Sequence, residues 1–159
     1  MTQNDDVQLT QEGYDQIVAE LKELKDEKLP KAIQRVATAR SFGDLSENAE
    51  YQSAREDLAF LEGKVAELEG LIAKAKILKN SKGGKNGNGL IDLGSVVTLK
   101  VGNSKHIYHI VGEWEANPLE KKISHQSPLG KALIGKKKGE AVEIDVPAGK
   151  LKYVIVGIE

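Results

Sequence analysis

Three carboxylates lie close together in the short sequence FGDLSENAEY, residues 42–51: Asp44, Glu47 and Glu50. Asp44 and Glu47 are three residues apart, so at the start of a helix their side chains can face the same way. Mg²⁺ takes oxygen ligands from one or two carboxylates and leaves its other positions to water or phosphate. An exposed pair of this kind is half of a magnesium site, and a partner would have to supply the other half.

The same pair also admits a purely structural interpretation. An Asp at the start of a helix, followed three residues later by Glu, resembles a capping box, in which both side chains accept hydrogen bonds from backbone amides. Capping requires only one or two polar groups, whereas this stretch offers five. They are Asp44, Ser46, Glu47, Asn48 and Glu50. The residues alone leave both interpretations open.

Apolar residues at helical spacing occupy both sides of these carboxylates. On the N-terminal side they are Tyr14, Ile17, Leu21, Leu24, Leu29, Ile33 and Val36, and on the C-terminal side Tyr51, Ala54, Leu58, Leu61, Val65, Leu68, Ile72 and Ala75. Such a repeat is typical of a coiled coil, and the short turn between the two runs requires an antiparallel return. The sequence therefore predicts a helical hairpin over 1–78, a rod of roughly 45 Å, with an acidic tip at 42–51.

Two local features refine the first helix of this hairpin. Thr10 can cap its start, with Leu9 placed to pack against Tyr14. Pro30 lacks an amide proton, so we expect the helix to bend or loosen at that residue.

The chain beyond residue 78 has a different composition. KNSKGGKNGNG, residues 79–89, has no apolar residue and predicts a flexible Gly/Lys-rich linker over 79–90. Residues 91–159 contain four β-branched segments that indicate strands, GSVVTLKV, KHIYHIVGE, AVEIDV and LKYVIVGI. SPLGKALIG predicts one short helix capped by Ser127. The predicted fold class is α+β: an antiparallel two-helix coiled coil followed by a small, mostly antiparallel β domain with one helix.

Composition excludes several kinds of site. The chain has no Cys, which excludes disulfides and thiolate metal sites. No apolar run approaches the length of a membrane span, so we expect a soluble, cytoplasmic protein with no membrane partner. The three histidines, His106, His109 and His125, all fall in the β domain, and a lone tip cannot exclude water from a substrate. If the protein takes part in catalysis, it does so inside another protein's active site.

Charge is distributed unevenly along the chain. Residues 1–78 carry 16 acidic and 10 basic side chains, whereas residues 79–159 carry 8 acidic and 13 basic ones. The two halves are therefore expected to meet different surfaces, although an acidic balance is also ordinary for a solvated helical pair.

Nearly the whole chain resembles the bacterial GreA/GreB family of transcript cleavage factors, and its GreA branch in particular. The resemblance is carried by LTQEGYDQIVAELKELK at 9–25, LPKAI at 29–33, ATARSFGDLSENAEYQSAREDLAFLEGKVAELE at 37–69, and then IVGEWEANP, ISHQSPLGKALIGKKKGE and AVEIDVPAG. GDLSENAEY is among the most specific signatures of that family. Only the linker over 79–89 departs from the family pattern, since it is longer and richer in glycine than expected for the family.

The resemblance implies a fold, a partner and a role for the tip. The coiled coil would enter the secondary channel of bacterial RNA polymerase, and a C-terminal domain of FKBP-like fold would grip the rim of that channel. When the polymerase has backtracked, the tip of this monomeric factor would stimulate hydrolysis of the extruded RNA 3′ end. Asp44 and Glu47 match the family's acidic pair and would complete a Mg²⁺ site shared with the polymerase, with none bound to the isolated protein. Glu47 as a general base is an equally open alternative.

Four further residues acquire expected roles from the same resemblance. Ser46 and Asn48 are expected to support the two carboxylates as hydrogen-bond donors. Arg40 and Arg55 match the family's basic patch and would contact RNA phosphates. An ordinary alternative is that these arginines pair with acidic residues of the rod, Glu56 or Asp57.

Three other functions remain possible for this sequence. A regulator could occupy the same channel and inhibit without cleaving, although the intact acidic pair argues against it. A prolyl isomerase would need an aromatic-lined apolar pocket, for which the β domain offers only Tyr108, Trp114 and Tyr153. In a plain coiled-coil adaptor, nothing at the tip would matter.

Overall fold

The computed structural model describes residues 6–78 and 89–159, so the predicted linker over 79–90 lies almost entirely outside the described residues. The chain divides into two units. One consists of Asp15–Lys74, and the other of the chain up to Tyr14 together with Ala75–Glu159. The first is helical and the second contains a mixed sheet with one helix, which confirms the predicted α+β class. No helix in the described ranges is long and apolar enough to cross a membrane.

The predicted hairpin consists of three α-helices: α1 (Gln11–Glu23), α2 (Leu29–Ser41) and α3 (Ala49–Lys74). The start of α1 is the predicted one, because the Thr10 hydroxyl oxygen accepts a hydrogen bond from the Gly13 amide at 3.1 Å. The Thr10 carbonyl also accepts from the Tyr14 amide at 3.0 Å. Thr10 is thus an N-cap, and its side chain satisfies one of the amides that a helix start leaves unpaired.

The irregularity expected near Pro30 is a π-helical turn. Leu24–Lys28 form this wider turn between α1 and α2, and it closes with a hydrogen bond from the Leu29 amide to the Leu24 carbonyl. Pro30 follows as the second residue of α2. A π-helical turn holds one more residue than an α-helical turn, so it rotates the apolar stripe of all that follows. This rotation accounts for the five-residue step from Leu24 to Leu29, since the other apolar residues of this run are three or four apart.

The helical hairpin is held by a thin apolar seam between α2 and α3. Few side chains are buried along the hairpin: Leu24 of the π-helical turn, Ala39 of α2, and Ala54, Val65, Leu68 and Leu71 of α3. Ion pairs link the two sides of the hairpin, Glu20 with Lys64 and Lys25 with Glu69 along the rod and Arg35 with Glu50 nearer the turn. The rod therefore has a small apolar core, and the charged side chains at its tip do not pack in that core.

The other unit is built on a five-stranded sheet. Its strands are β3 (Val96–Val101), β4 (Ser104–Val111), β5 (Lys122–Ser124), β6 (Ala141–Val146) and β7 (Gly149–Ile158), in the spatial order β5-β4-β3-β7-β6. All neighbours are antiparallel except β4 and β5, which are parallel. Helix α4 (Pro128–Leu133) is capped by Ser127 as predicted, since the Gly130 amide donates to the Ser127 hydroxyl at 3.0 Å.

A second, two-stranded sheet was not expected from the sequence. β1 (Val7–Leu9) pairs in parallel with β2 (Ala75–Ile77), so the residues that precede α1 contact those that follow α3. The Glu115 carboxylate fastens this segment, because it accepts hydrogen bonds from the amide and the hydroxyl of Thr10. Residues 6–14 and 75–78 thus group with the β-sheet unit, whereas the predicted boundary placed all of 1–78 in the hairpin.

Replacing Gly130 by Ala is expected to destabilise the β-sheet unit by about 2–4 kcal/mol. A Cβ at Gly130 would overlap the Ser124 carbonyl oxygen and lie 2.9 Å from the His125 Cα, and both are backbone atoms that cannot move aside cheaply. Urea denaturation followed by Trp114 fluorescence measures the loss. Lys131→Ala, one residue along α4 at an exposed position, is the control and should change stability by less than about 0.5 kcal/mol.

Candidate functional site

The tip of the hairpin is a turn closed by one side chain, that of Asn48. Its Oδ1 accepts a hydrogen bond from the Tyr51 amide at 3.0 Å, and its carbonyl accepts from the Gln52 amide at 3.1 Å. These are the bonds of an N-cap, so Asn48 starts α3. The capping interpretation of Asp44 is therefore wrong, because the helix begins at Ala49, well after Asp44.

Asn48 also ties the two sides of the turn together. Its Nδ2 donates to the Ala39 carbonyl of α2 at 2.8 Å, and the same carbonyl accepts from the Phe42 amide at 3.3 Å. The Ala39 side chain is 1% exposed, so this junction lies at the buried end of the seam. The turn over 42–48 is consequently anchored at its base even though most of its side chains are exposed.

Asp44 is held by its neighbour Ser46. The Asp44 Oδ1 accepts hydrogen bonds from the Ser46 hydroxyl at 2.8 Å and from the Ser46 amide at 3.1 Å. The hydroxyl bond, with the amide bond second, keeps the pKa of the Asp44 carboxyl below its ordinary value, so the group is ionised at neutral pH. Within the described residues its Oδ2 accepts no hydrogen bond. Asp44 thus presents one oriented oxygen and one unused oxygen.

Glu47 lies in the same turn, immediately before the cap. Its side chain is exposed, and among the residues that the structure describes it has neither a hydrogen-bond partner nor an ion-pair partner. No group of three or more His, Asp or Glu residues in the described ranges is placed to hold a metal ion without help. The turn therefore carries Asp44 and Glu47 as two exposed carboxylates three residues apart, an incomplete set of oxygen ligands that fits a cation only if further ligands come from elsewhere.

The third carboxylate, Glu50, is engaged on the rod and not at the end of the tip. The Arg35 Nε donates to the Glu50 Oε1 at 2.7 Å, while the Arg35 Nη1 pairs with Asp57. The hydrogen bond from Arg35 lowers the pKa of the Glu50 carboxyl. Arg35 was not singled out in the sequence, although the antiparallel return places it opposite the first turns of α3. It neutralises Glu50 and leaves Asp44 and Glu47 as the unpaired acids of the tip.

The two expected RNA-contacting arginines are exposed on either side of the turn. The Arg55 guanidinium lies 5.7 Å from the centroid of the Tyr51 ring, which steadies it by a cation–π contact. Neither Arg40 nor Arg55 forms an ion pair within the described residues, and Asp57, one of the proposed alternative partners, is occupied by Arg35. Both cations are therefore available to an external anion.

Asn48→Asp should destabilise the hairpin by about 1–2 kcal/mol, although Asp caps a helix as well as Asn does. The change retains the acceptor for the Tyr51 amide, but it removes the donor to the Ala39 carbonyl and sets a carboxylate against that oxygen. Thermal unfolding followed by far-UV circular dichroism tests this expectation. Gln52→Glu is the matched control, since it makes the same amide-to-carboxylate change at an exposed position of α3. Equal melting of the two variants would contradict the bridging role.

The three aromatic residues of the β-sheet unit that a prolyl isomerase pocket would use lie in different surroundings. Tyr108 and Tyr153 pack against the buried core of the sheet. Trp114 instead lines a separate, polar cleft of about 280 Å³ together with Asp6, Glu113 and other residues. The three aromatic residues that the hypothesis required are thus not gathered around one apolar cavity in the described ranges.

Two family models match this chain, one over each half of the sequence. Residues 7–77 match the family model "Transcription elongation factor, N-terminal", and residues 86–159 match "Transcription elongation factor, GreA/GreB, C-term". The transcription elongation factor GreA of Bacillus subtilis (strain 168) is 45% identical over 94% of each chain. GreA of Lactococcus lactis subsp. cremoris (strain MG1363) is 42% identical over 95% of this chain and 96% of its own.

Among solved structures, the GreA factor homolog 1 (Gfh1) of Thermus thermophilus is 30% identical over 97% of this chain and 99% of its own, with a TM-score of 0.45. The two family models together span both units, and the GreA relatives match almost end to end. On these matches the chain belongs to the GreA/GreB family of transcription elongation factors.

Proposed function

We propose that this protein enters the secondary channel of bacterial RNA polymerase and stimulates the polymerase's own hydrolysis of backtracked RNA 3′ ends. The observation that carries the proposal is the pair of exposed carboxylates at the end of a long hairpin, one oriented by Ser46 and the other without a partner in the described residues. This rescue would let an arrested complex resume elongation. It is the finer form of the elongation-factor role that the family membership establishes.

The hairpin is long enough to place its tip inside a buried site of another protein. Helix α3 alone contains 26 residues and is about 39 Å long at 1.5 Å per residue. A rod of this length can deliver its tip into a narrow, buried site while the rest of the molecule stays outside. The ion pairs on its sides, such as Lys25 with Glu69, keep the surface solvated and the two helices aligned.

The tip would contribute ligands to a magnesium ion shared with the polymerase. Asp44 and Glu47 are the residues that would hold it, and Mg²⁺ bound there would activate water or stabilise the leaving oxygen of the scissile phosphodiester. Ser46 donates two hydrogen bonds to one Asp44 oxygen and lowers the pKa of the carboxyl, so Asp44 would reach the metal ionised and already oriented. Glu47 would act as the second ligand or as the base that takes a proton from the attacking water.

Arg40 and Arg55 would bind the RNA that the carboxylates act on. Both guanidinium groups are exposed and free of carboxylate partners within the described ranges, so phosphate oxygens would meet no internal competitor. Guanidinium–phosphate hydrogen bonds are charge-assisted and fix the position of a backbone without reading its sequence. The backtracked RNA would thus be held by its phosphates beside the acidic pair.

The protein is proposed to work as a monomeric factor in the cytoplasm and not as a nuclease in its own right. Two exposed carboxylates supply too few ligands to hold a cation and a substrate together, and the tip has no walls to exclude water. The polymerase would provide the remaining ligands and the enclosed site. Catalysis therefore belongs to the complex of both proteins.

A backtracked elongation complex with RNA labelled at its 3′ end tests the proposal directly. Added protein and Mg²⁺ should release short labelled 3′ fragments, and the shortened transcript should resume elongation when nucleotides are supplied. Two controls accompany it: free RNA with the protein alone, which should stay intact, and the complex without the protein. Absence of fragments at saturating protein would overturn the proposal, and cleavage of free RNA would overturn its dependence on the polymerase.

A further inference from the structure

Phe42 is an aromatic side chain that the fold of the hairpin does not use. It follows the last residue of α2, and its side chain is 76% exposed. Gly43, the next residue, has φ of +112°, a conformation that favours glycine and turns the chain sharply after Phe42. Exposing a Phe ring costs the free energy that its burial would gain. Its position, two residues before Asp44, suggests that something external covers it.

The backbone beneath this ring is fixed. The Phe42 amide and the Asn48 side chain share the Ala39 carbonyl, which anchors both ends of the 42–48 turn at one point. The ring therefore projects from a defined place on the same turn as Asp44 and Glu47. A fixed backbone reduces the entropy lost when a ligand is bound.

The surroundings of Phe42 are charged, and they favour a nucleic acid over an apolar protein surface as the covering group. Arg40 lies two residues before it, Arg55 lies on the facing helix, and neither has a carboxylate partner in the described ranges. Surfaces that bind single-stranded nucleic acids combine cations for the phosphates with an aromatic face for the bases. An apolar patch of a protein partner would have to desolvate these two guanidinium groups without compensation.

We propose that the Phe42 ring stacks on an unpaired base of the extruded RNA 3′ segment and so positions the neighbouring phosphodiester at the Asp44 and Glu47 carboxylates. This inference rests on the proposed function, and it assigns Phe42 as a positioning residue. Stacking on a benzene ring accepts every base, so the contact gives grip without sequence specificity.

Four Phe42 variants separate stacking from simple apolar contact. Phe42→Ala and Phe42→Leu should both lower the cleavage rate about tenfold at subsaturating protein, whereas Phe42→Tyr and Phe42→Trp should retain it, because only an aromatic face stacks. Phe60→Ala is the matched control: Phe60 is 69% exposed on α3 but lies away from the tip, and its loss should leave the rate unchanged. Activity of Phe42→Leu equal to that of the parent protein would overturn stacking and indicate an apolar protein contact.

RNA with an abasic nucleotide at each position of the 3′ segment in turn identifies the base. At the position that stacks, the abasic RNA should be cleaved about tenfold more slowly by the parent protein, and Phe42→Ala should cause no further loss. If the Phe42→Ala penalty persists in full on every abasic RNA, the ring does not contact a base and the inference fails. The variant rates and the abasic-RNA rates are both expressed relative to the parent protein on intact RNA. Whether the parent protein itself stimulates cleavage is therefore a separate result.

A binding measurement keeps the inference independent of cleavage. In Asp44→Asn protein, 2-aminopurine placed in the extruded 3′ segment should change its fluorescence on addition of the factor. The double variant with Phe42→Ala should give no such change at equal polymerase occupancy. Identical fluorescence with both proteins would refute stacking even if the parent protein stimulates cleavage. A difference between them would support stacking even if it does not.

Discussion

Asp44→Asn should lower the rate of RNA cleavage in a backtracked polymerase complex about a hundredfold or more while the fold of the factor is unchanged. The amide removes the negative charge that would bind Mg²⁺, and a hundredfold corresponds to roughly 2.7 kcal/mol of transition-state stabilisation. Asn can still accept the hydrogen bonds that Ser46 donates to the Oδ1 position. Helix α3 should also be unaffected, because its cap is Asn48.

The control for this variant removes a hydrogen bond that orients the Asp44 side chain but leaves the negative charge of its carboxylate in place. Ser46→Ala removes the hydroxyl donor at 2.8 Å but leaves the carboxylate, so it should slow cleavage much less than Asp44→Asn does. Thermal unfolding and binding to the polymerase should be equal for both variants and the parent protein. A clear drop in melting temperature for Asp44→Asn would mean that the residue supports the turn, and loss of cleavage could then not be assigned to a missing ligand.

Glu47→Gln is expected to reduce cleavage to a similar extent, because it removes the other carboxylate of the tip. Within the described part of the chain, Glu47 has no hydrogen-bond or ion-pair partner that the change would disrupt. Its side chain is exposed, and the change keeps its size and shape. Stability and polymerase binding should therefore stay at the level of the parent protein. The matched control is Glu56→Gln, which makes the same substitution at an exposed position of α3 outside the tip and should retain full activity. Equal activity of the two variants would exclude Glu47 from the reaction.

The conditions under which Glu47→Gln recovers distinguish the two roles open to Glu47. If the carboxylate is a metal ligand, high Mg²⁺ should restore part of the rate, because weaker binding is offset by concentration. If it is a general base, Mg²⁺ should have little effect, and raising the pH should restore part of the rate as hydroxide replaces the activated water. The two titrations therefore assign the residue whichever outcome is obtained.

Long repeated patterns allowed most of the fold to be predicted. The unbroken spacing from Tyr51 to Ala75 predicted one long helix, which ends at Lys74, while Ala75 begins β2. Thr10 and Ser127 marked helix starts by capping chemistry that acts within a few residues. The short strands could not be predicted in the same way. β1, β2 and β5 have three residues each, too few for an alternating pattern, and their pairing depends on contacts distant in the chain.

The candidate site was predictable in its members but not in its hydrogen bonds. Asp44 and Glu47 could be selected because their spacing suits the ligands of a cation and because they match the acidic pair of the family that the sequence resembles. Asn48, one of several possible capping residues in this stretch, caps α3 and also donates to the Ala39 carbonyl across the turn, a contact that no local pattern encodes. The pairing of Arg35 with Glu50 likewise depends on the register of two helices.

The dependence of the cleavage rate on Mg²⁺ concentration tests most directly whether the tip supplies ligands inside the polymerase. Parent protein and Asp44→Asn are compared on the same backtracked complex at matched polymerase occupancy. The ligand role predicts that Asp44→Asn requires far more Mg²⁺ for half-maximal cleavage and is about a hundredfold slower at low Mg²⁺. If the two proteins stay within about threefold of each other at every Mg²⁺ concentration, less than the tenfold that 1.4 kcal/mol would produce, Asp44 binds no catalytic metal and the account is wrong.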